Sequence, residues 1–323
     1  MKIAIIGAAG HHRLAFDAME KDPAIKLVGV APGRSAEDIS PLRGKGAPAY
    51  PDYRDLLDEQ KPDVAVVNPW FSDAAGVSVA CLERGIHVYS EKPLATSHDE
   101  LRALESAWHV SGCALGGMFN YRFAPWFLAM KSAVDAGEIG EVRMAHGQKS
   151  YRLGVRPDFY KDRAIMGGIL PWVAIHAIDW VLAFLGNCTW VSATHSTAYN
   201  RDHGDLEVSS AMLMGMQDGG IGTVTADFFR PSGSARHDDD RLRLTGTRGM
   251  IEVIDGCVTL ENETAKRTLP LPAEQNAFLG FLSAIETKAD DSFARDALTA
   301  TRVALAARDS ADEDGIRRFP NGT

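Results

Sequence analysis

Cysteine is scarce in this chain and badly placed for cross-linking. Its 323 residues include four, Cys81, Cys113, Cys188 and Cys257, with no C-x-x-C pair among them. That spacing excludes a disulfide framework and a cysteine zinc site. The four read as reduced, mostly buried thiols of a cytoplasmic protein. The ten histidines show no H-x-x-x-H spacing, so no metal is expected. Basic charge is short as well: 34 Lys and Arg stand against 43 Asp and Glu, a net charge of −9. The deficit argues against a nucleic-acid partner and disfavours an anionic membrane surface. No apolar run approaches the roughly 20 residues that cross a bilayer. The first residues enter a strand directly, without a basic region or cleavage site of a secretion signal. Internal repeats and low-complexity tracts are missing too. What remains is an ordinary globular composition, 45% apolar and 24% charged, with length enough for two domains.

The opening stretch organises the first half. Lys2 to Ile6 is a short β-branched apolar run, followed by Gly7-Ala8-Ala9-Gly10-His11-His12 and then helical spacing of Leu14, Ala15, Ala18 and Met19. A strand, a small-residue turn and a helix start make an anion cradle, because free N–H groups and the helix dipole face out of the turn. The dinucleotide fingerprint is G-x-G-x-x-G. Here Gly7 is kept, Ala9 stands at the second glycine and His12 at the third. The alternative is an ordinary strand-to-helix turn.

Strand and helix then alternate, with strands over 26–30, 63–68, 86–90 and 114–119 and helices over 52–60, 72–84 and 96–110. That alternation predicts a parallel doubly wound sheet. The tip of the second strand, Ala31-Pro32-Gly33-Arg34-Ser35, offers no acid to a ribose diol. Arg34 and Ser35 suit a 2′-phosphate, so the cofactor leans to NADP; a solvated loop arginine is the bland reading. Asn68-Pro69-Trp70 ends the third strand at the carboxyl edge, where ligands bind in such sheets. Glu91-Lys92-Pro93 ends the fourth, and a lysine there can point into the crevice.

In the second half Phe123-Ala124-Pro125 begins a helix running to about Gly137, and a strand covers 142–150. The connection 151–163 is dense in Arg152, Arg156, Asp158, Tyr160, Lys161 and Arg163, either lying over a polar substrate or solvated. A helix entered at Pro171 places Trp172, His176, Asp179 and Ala183 on one face. A lone histidine on so apolar a helix is ordinarily a core residue. From Trp190 the period is two, which predicts a meander over 190–198, 206–216, 220–229, 241–245, 250–254 and 258–260, with turns at Gln217–Gly220 and Asp255-Gly256. Helices over 274–288 and 294–307 close the chain, and the polar end from Asp309 is expected to be loose.

Three blocks carry a resemblance across essentially the whole chain. They are Gly85-Ile86-His87-Val88-Tyr89-Ser90-Glu91-Lys92-Pro93-Leu94-Ala95, Asn120-Tyr121-Arg122-Phe123 and Arg243-Leu244-Thr245-Gly246-Thr247-Arg248-Gly249. With the glycine turn and the His176 segment they resemble the Gfo/Idh/MocA family of NAD(P)-dependent oxidoreductases. The resemblance implies an α/β protein with a Rossmann domain over 1–119. A substrate-binding and oligomerisation domain over 120–323 would hold a large, mostly antiparallel open sheet and pair copies into a homodimer or homotetramer. It implies oxidation of a secondary alcohol on a sugar, cyclitol or related polyol, with Lys92 and His176 catalytic. Three departures stand out. The glycine turn is altered. Asn68-Pro69-Trp70, with Asp73 after it, stands where the family often has Thr-Pro-Asn and a histidine. Trp172 stands where an aspartate commonly precedes the histidine by one turn.

Alcohol oxidation needs a base for the hydroxyl proton and a site closed to bulk water. Burial and a nearby cation lower a lysine's pKa, which suits Lys92; His176 has a reference value near 6.5. Trp172 can donate through its indole N–H but cannot accept a proton, so it becomes a wall for a sugar ring. Asp179 is a candidate orienting carboxylate. Tyr121, Arg122, Tyr160 and Arg163 are further orienting or substrate candidates. Two other functions fit the same residues: a non-catalytic dinucleotide-binding regulator, similar to the galactose co-repressors, and an NAD-dependent glycosidase of similar fold.

Overall fold

The computed structural model describes residues 1–35, 37–44, 46–288 and 291–322. They cluster into two units. One is Met1–Phe119 with Ala164–Gly167 and Asn276–Thr301; the other is Asn120–Arg163 with Gly168–Gln275 and Arg302–Thr323.

The first unit holds β1 (Lys2–Ile6), β2 (Lys26–Ala31), β3 (Val64–Val67), β4 (His87–Ser90) and β5 (Leu115–Gly117), ordered β2-β1-β3-β4-β5. All four pairings are parallel. Every residue of β3 is buried, as is all of β1 beyond Lys2. That is why they read as unbroken apolar runs: such a sheet is covered on both faces. Helices Arg13–Lys21, Tyr53–Gln60, Ala74–Leu82 and His98–Ser111 make the crossovers. The last starts on a complete capping box, Ser97 with Glu100.

One element returns to this unit from far along the chain. Helix Ala277–Thr287 inserts Phe278 and Phe281 beside Tyr89, with ring centres 5.2 and 5.1 Å away. All three are fully buried with Ile3, Ile5 and Val66. A division at Phe119 and Asn120 therefore leaves out part of this core.

The second unit holds β6 (Val142–Tyr151), β7 (Cys188–Ser196), β8 (Ser209–Met216), β9 (Ile221–Asp227), β10 (Asp238–Gly246), β11 (Gly249–Ile254), β12 (Cys257–Asn262) and β13 (Lys266–Thr268). Their order is β13-β12-β11-β10-β6-β9-β8-β7. The run from β7 is not the simple meander that its period suggested. β6 is inserted between β10 and β9, antiparallel to one and parallel to the other. Helix Ile175–Leu185 lies on this sheet, and Gly147 and Gly222 admit it. A Cβ at Gly147 would sit 3.0 Å from that of Ala177, and one at Gly222 only 2.6 Å from Val181.

The chain end is tied down, contrary to the expectation of a loose tail. Helix Ser292–Asp312 outruns its predicted end. Ser310 is buried and accepts from the Ala193 N–H at 3.0 Å, and Arg318 bridges to Val191. Of the cysteines, Cys81 and Cys188 are buried, Cys113 is half-buried and Cys257 is exposed. Among the described residues, one helical stretch, Arg163–Leu185, is long and apolar enough to cross a membrane, and 83% of its apolar window is buried in protein.

Candidate active site

In the first unit the glycine turn closes on the ends of β2, β3 and β4. Gly7 has φ +80°, and a Cβ there would lie 2.3 Å from the Pro69 nitrogen and 2.4 Å from the Asn68 carbonyl oxygen. Only glycine lets the turn come this close. The Ala9 N–H donates to that Asn68 carbonyl at 2.8 Å. Two carboxylates then grip the turn. Glu37 accepts from the Ala8 N–H at 3.0 Å and the Gly33 N–H at 2.8 Å. Glu91 accepts from the His11 N–H at 2.5 Å, the His11 ring at 2.8 Å and the Lys92 N–H at 2.9 Å. Burial raises the Glu37 carboxyl pKa against these hydrogen bonds. Burial pulls Glu91 the same way, but His11 and Lys92 outweigh it and hold its carboxyl below the usual range. His12 is drawn down by burial.

Glu37 was missed by the reading of the strand tip as free of acid, because it lies beyond the five residues considered and folds back. Arg34 is not left to solvent. It makes a bidentate pair with Asp73 and stacks over Trp70, 4.8 Å from the ring centre. Ser35 is exposed. Lys92, before the cis-proline Pro93, is 1% exposed.

A dinucleotide fits this turn. Among the described residues the N–H groups of Gly10 and His12 meet no protein acceptor. Neither end of the buried Asn68 amide has a hydrogen-bond partner among the described residues. Orphaned polar groups beside a helix start are what a bound phosphate or amide would satisfy.

In the second unit the segment around His176 differs from a plain helix. Leu170–Ala174 form a π turn ahead of helix Ile175–Leu185, and such turns recur at functional sites. Trp172 lies in it, 8% exposed, with its ring centre 6.2 Å from that of Tyr160. His176 is 1% exposed and meets the Tyr121 ring at 4.9 Å and 79°. The Asp179 carboxylate receives the Arg122 guanidinium at 2.6 to 3.0 Å. Arg163 serves another cluster: it pairs with Glu207 at 2.5 Å and Asp312 at 2.7 Å, beside His195. Those three carboxylate and imidazole groups lie close enough to hold a metal, but the guanidinium already supplies their positive charge.

Sequence reasoning overlooked a buried ion pair next to Tyr121. Lys149 on β6 and Asp240 on β10 are opposite each other in register, 2.5 Å apart and 0% and 7% exposed. Burial lowers the Lys149 pKa to about 8 against the pull of Asp240 and raises the Asp240 carboxyl. The ammonium sits 3.7 Å above the Tyr121 ring centre and 4.9 Å from that of Tyr151. The signal was there: Ala145, Gly147 and Lys149 share one phase of β6, as do Asp240, Leu242 and Leu244 in β10.

Comparison with known proteins agrees with this architecture. Residues 1–116 match the model of the oxidoreductase family with an NAD-binding Rossmann fold, and residues 127–252 match the Gfo/Idh/MocA C-terminal domain. A solved oxidoreductase structure from Thermotoga maritima is 37% identical, covers 99% of this chain and 100% of its own, and superposes with a TM-score of 0.95. Inositol 2-dehydrogenase of Salmonella typhimurium is 29% identical over 137 residues, 41% of this chain and 39% of that protein. An NADP(+)-dependent D-xylose 1-dehydrogenase of Haloferax volcanii is 30% identical over 206 residues, 63% and 60% of the two chains. The chain thus spans less than two thirds of these curated relatives. The turn geometry, the two sheets and the matches over both halves converge: this chain is a member of the Gfo/Idh/MocA oxidoreductase family.

Proposed function

We propose that the protein is an NAD(P)-dependent dehydrogenase acting on a secondary alcohol of a sugar, cyclitol or related polyol. The observation that carries this reading is the Glu91–Lys92–Pro93 corner. Glu91 is fastened to the glycine turn through His11, so Lys92 is held, buried, beside the nucleotide cradle. When bound, the nicotinamide supplies the hydride acceptor. The chain's own groups do the rest. Gly7 to His12 bind the dinucleotide, with Asn68, Pro69 and Trp70 at the carboxyl edge of β3. The single hydroxyl proton is carried by the Lys92 and His176 pair, one of the two accepting it. Trp172 and Tyr160 give an apolar wall that excludes water, and Arg122 with Asp179 stiffens the His176 helix. Positioned acid–base groups are worth roughly 10²- to 10⁴-fold in rate. Lys92→Met should therefore lose about that factor in kcat while NADH binding, followed by fluorescence, stays unchanged. Turnover within a few-fold of wild type removes Lys92 from the mechanism. Cofactor binding without hydride transfer on any polyol would leave the regulatory reading instead.

The lean towards NADP rests on Arg34 and Ser35. Asp73 and Glu37 stand against a 2′-phosphate there, since Arg34 must exchange a carboxylate for it. Asp73→Asn should raise NADP affinity relative to NAD by roughly tenfold, about the worth of one charge-assisted hydrogen bond. An unchanged ratio rejects that role for Arg34. We also propose a cytoplasmic homo-oligomer without nucleic-acid or membrane partners. The open sheet supports the association of copies: Met144 and Ile221, paired neighbours, are 52% and 45% exposed, and Leu213 is 40% exposed. Sedimentation of the full chain as a monomer would reject it.

A further inference from the structure

We propose that Arg152, Arg156 and Arg201 form a binding pocket for the phosphate group of a phosphorylated polyol. The cavity, about 340 Å³, is lined by these three with Arg230, Ser232 and His237, and no acidic side chain lines it. In a chain of net charge −9 such a surface calls for an explanation. Arg230 is answered by Asp239 at 3.4 Å. The other three have no carboxylate partner among the described residues. Arg152 reaches only the Ser232 and Ser234 carbonyls, at 3.4 and 3.3 Å. Arg156 donates to the Arg152 carbonyl at 2.9 Å and packs on the Phe228 and Tyr160 rings, and its buried Nε has no acceptor.

Arg201 is held in place by a strained loop. Tyr199, Arg201 and Asp202, none of them glycine, all have φ between +55° and +66°. The Asn200 side chain clamps the loop through the Gly204 and Leu206 carbonyls at 2.8 and 3.2 Å. Strain of this kind persists where it positions a functional group. A neutral sugar would leave three guanidinium groups uncompensated, and a carboxylate brings one charge. A phosphate monoester brings nearly two charges and three acceptor oxygens, which planar guanidinium donors match.

The pocket adjoins the His176 cluster through a run of contacts. His237 stacks on Tyr151 at 4.9 Å and 23°, the Lys149 ammonium lies between the Tyr151 and Tyr121 rings, and Tyr121 meets His176. The assignment to substrate rests on the dehydrogenase reading, and the test separates the two. Inorganic phosphate is titrated calorimetrically into the full chain. Turnover of an inositol monophosphate with NAD and with NADP is then compared with that of free inositol and glucuronate. With the glycine turn saturated by NADH, one phosphate should bind per chain. Arg156→Gln and Arg201→Gln should each weaken it roughly tenfold, while Arg54→Gln, the same charge change elsewhere, leaves it intact. The phosphorylated polyol should be preferred. No phosphate binding, equal weakening by Arg54→Gln, or a preference for glucuronate overturns the pocket. Neutral polyols turned over without phosphate binding removes the pocket alone. Phosphate binding as expected with no polyol oxidised upholds the pocket and removes the dehydrogenase reading.

Discussion

Removing the buried pair Lys149–Asp240 one partner at a time, and then together, tests the electrostatics of the second unit. The two side chains are opposed across β6 and β10 and almost wholly buried. Lys149→Met leaves a buried carboxylate without its cation, and Asp240→Leu leaves the cation. Each should cost about 3–5 kcal/mol, whereas the double variant should lie near wild type or above it, because two desolvated charges give way to packed apolar groups. The pH dependence gives a second measure. Burial draws the Lys149 pKa from 10.5 to about 8. Between those values the unfolded chain still holds a proton that the folded chain has released. The contribution of Lys149 to the unfolding free energy therefore rises with pH through that window. At about 1.36 kcal/mol per pH unit the full gain is on the order of 3 kcal/mol. Burial holds Tyr121 and Tyr151 well above the usual phenol pKa and acts in the opposite direction above pH 10, so the comparison runs from about pH 8 to 10. Urea midpoints read by tryptophan fluorescence supply the free energies. Additive single effects, or parallel pH curves for wild type and the double variant, refute the reasoning.

Two further outcomes follow from the first unit. Gly7→Ala forces a side chain into the left-handed region and against the Asn68 and Pro69 backbone; it should cost about 1–3 kcal/mol by urea denaturation and abolish NADH binding, and an intact midpoint would show the turn to be looser than drawn. Phe281→Ala should lose about 3–5 kcal/mol in thermal unfolding. A loss near zero would detach helix Ala277–Thr287 from the core of the parallel sheet.

The parallel sheet was legible because its strands are short apolar runs separated by helices, an alternation that local pattern displays. The return of Phe278 and Phe281 to Tyr89 was not legible, since the contact joins residues nearly two hundred positions apart. Nothing in a helical period says which sheet an apolar face will meet. The same limit explains β6. Its period announced a strand, but an eight-stranded order with one parallel pair is decided by crossovers that a single sequence does not display.

For the candidate site the boundary lies elsewhere. Lys92 was singled out by its place after the fourth strand and then by resemblance, His176 by resemblance alone, since chemistry rates a histidine on an apolar helix as core. Glu37, Lys149 and Asp240 were passed over for a different reason. The predicted strand over 142–150 contains Lys149, but its period was not followed to ask which face that charge occupies. The predicted strand starting at Arg241 stopped one residue short of Asp240, the in-register partner of Lys149. Yet a charge that falls in phase with buried apolar neighbours is the informative one, because desolvating it without a partner costs several kcal/mol. Two such charges of opposite sign in different strands imply each other. Their pairing fixes the register of β6 on β10, and with it the ring of Tyr121 against His176. In this chain, taking every charge as solvent-facing hides the part of the core that packs against Tyr121 and His176.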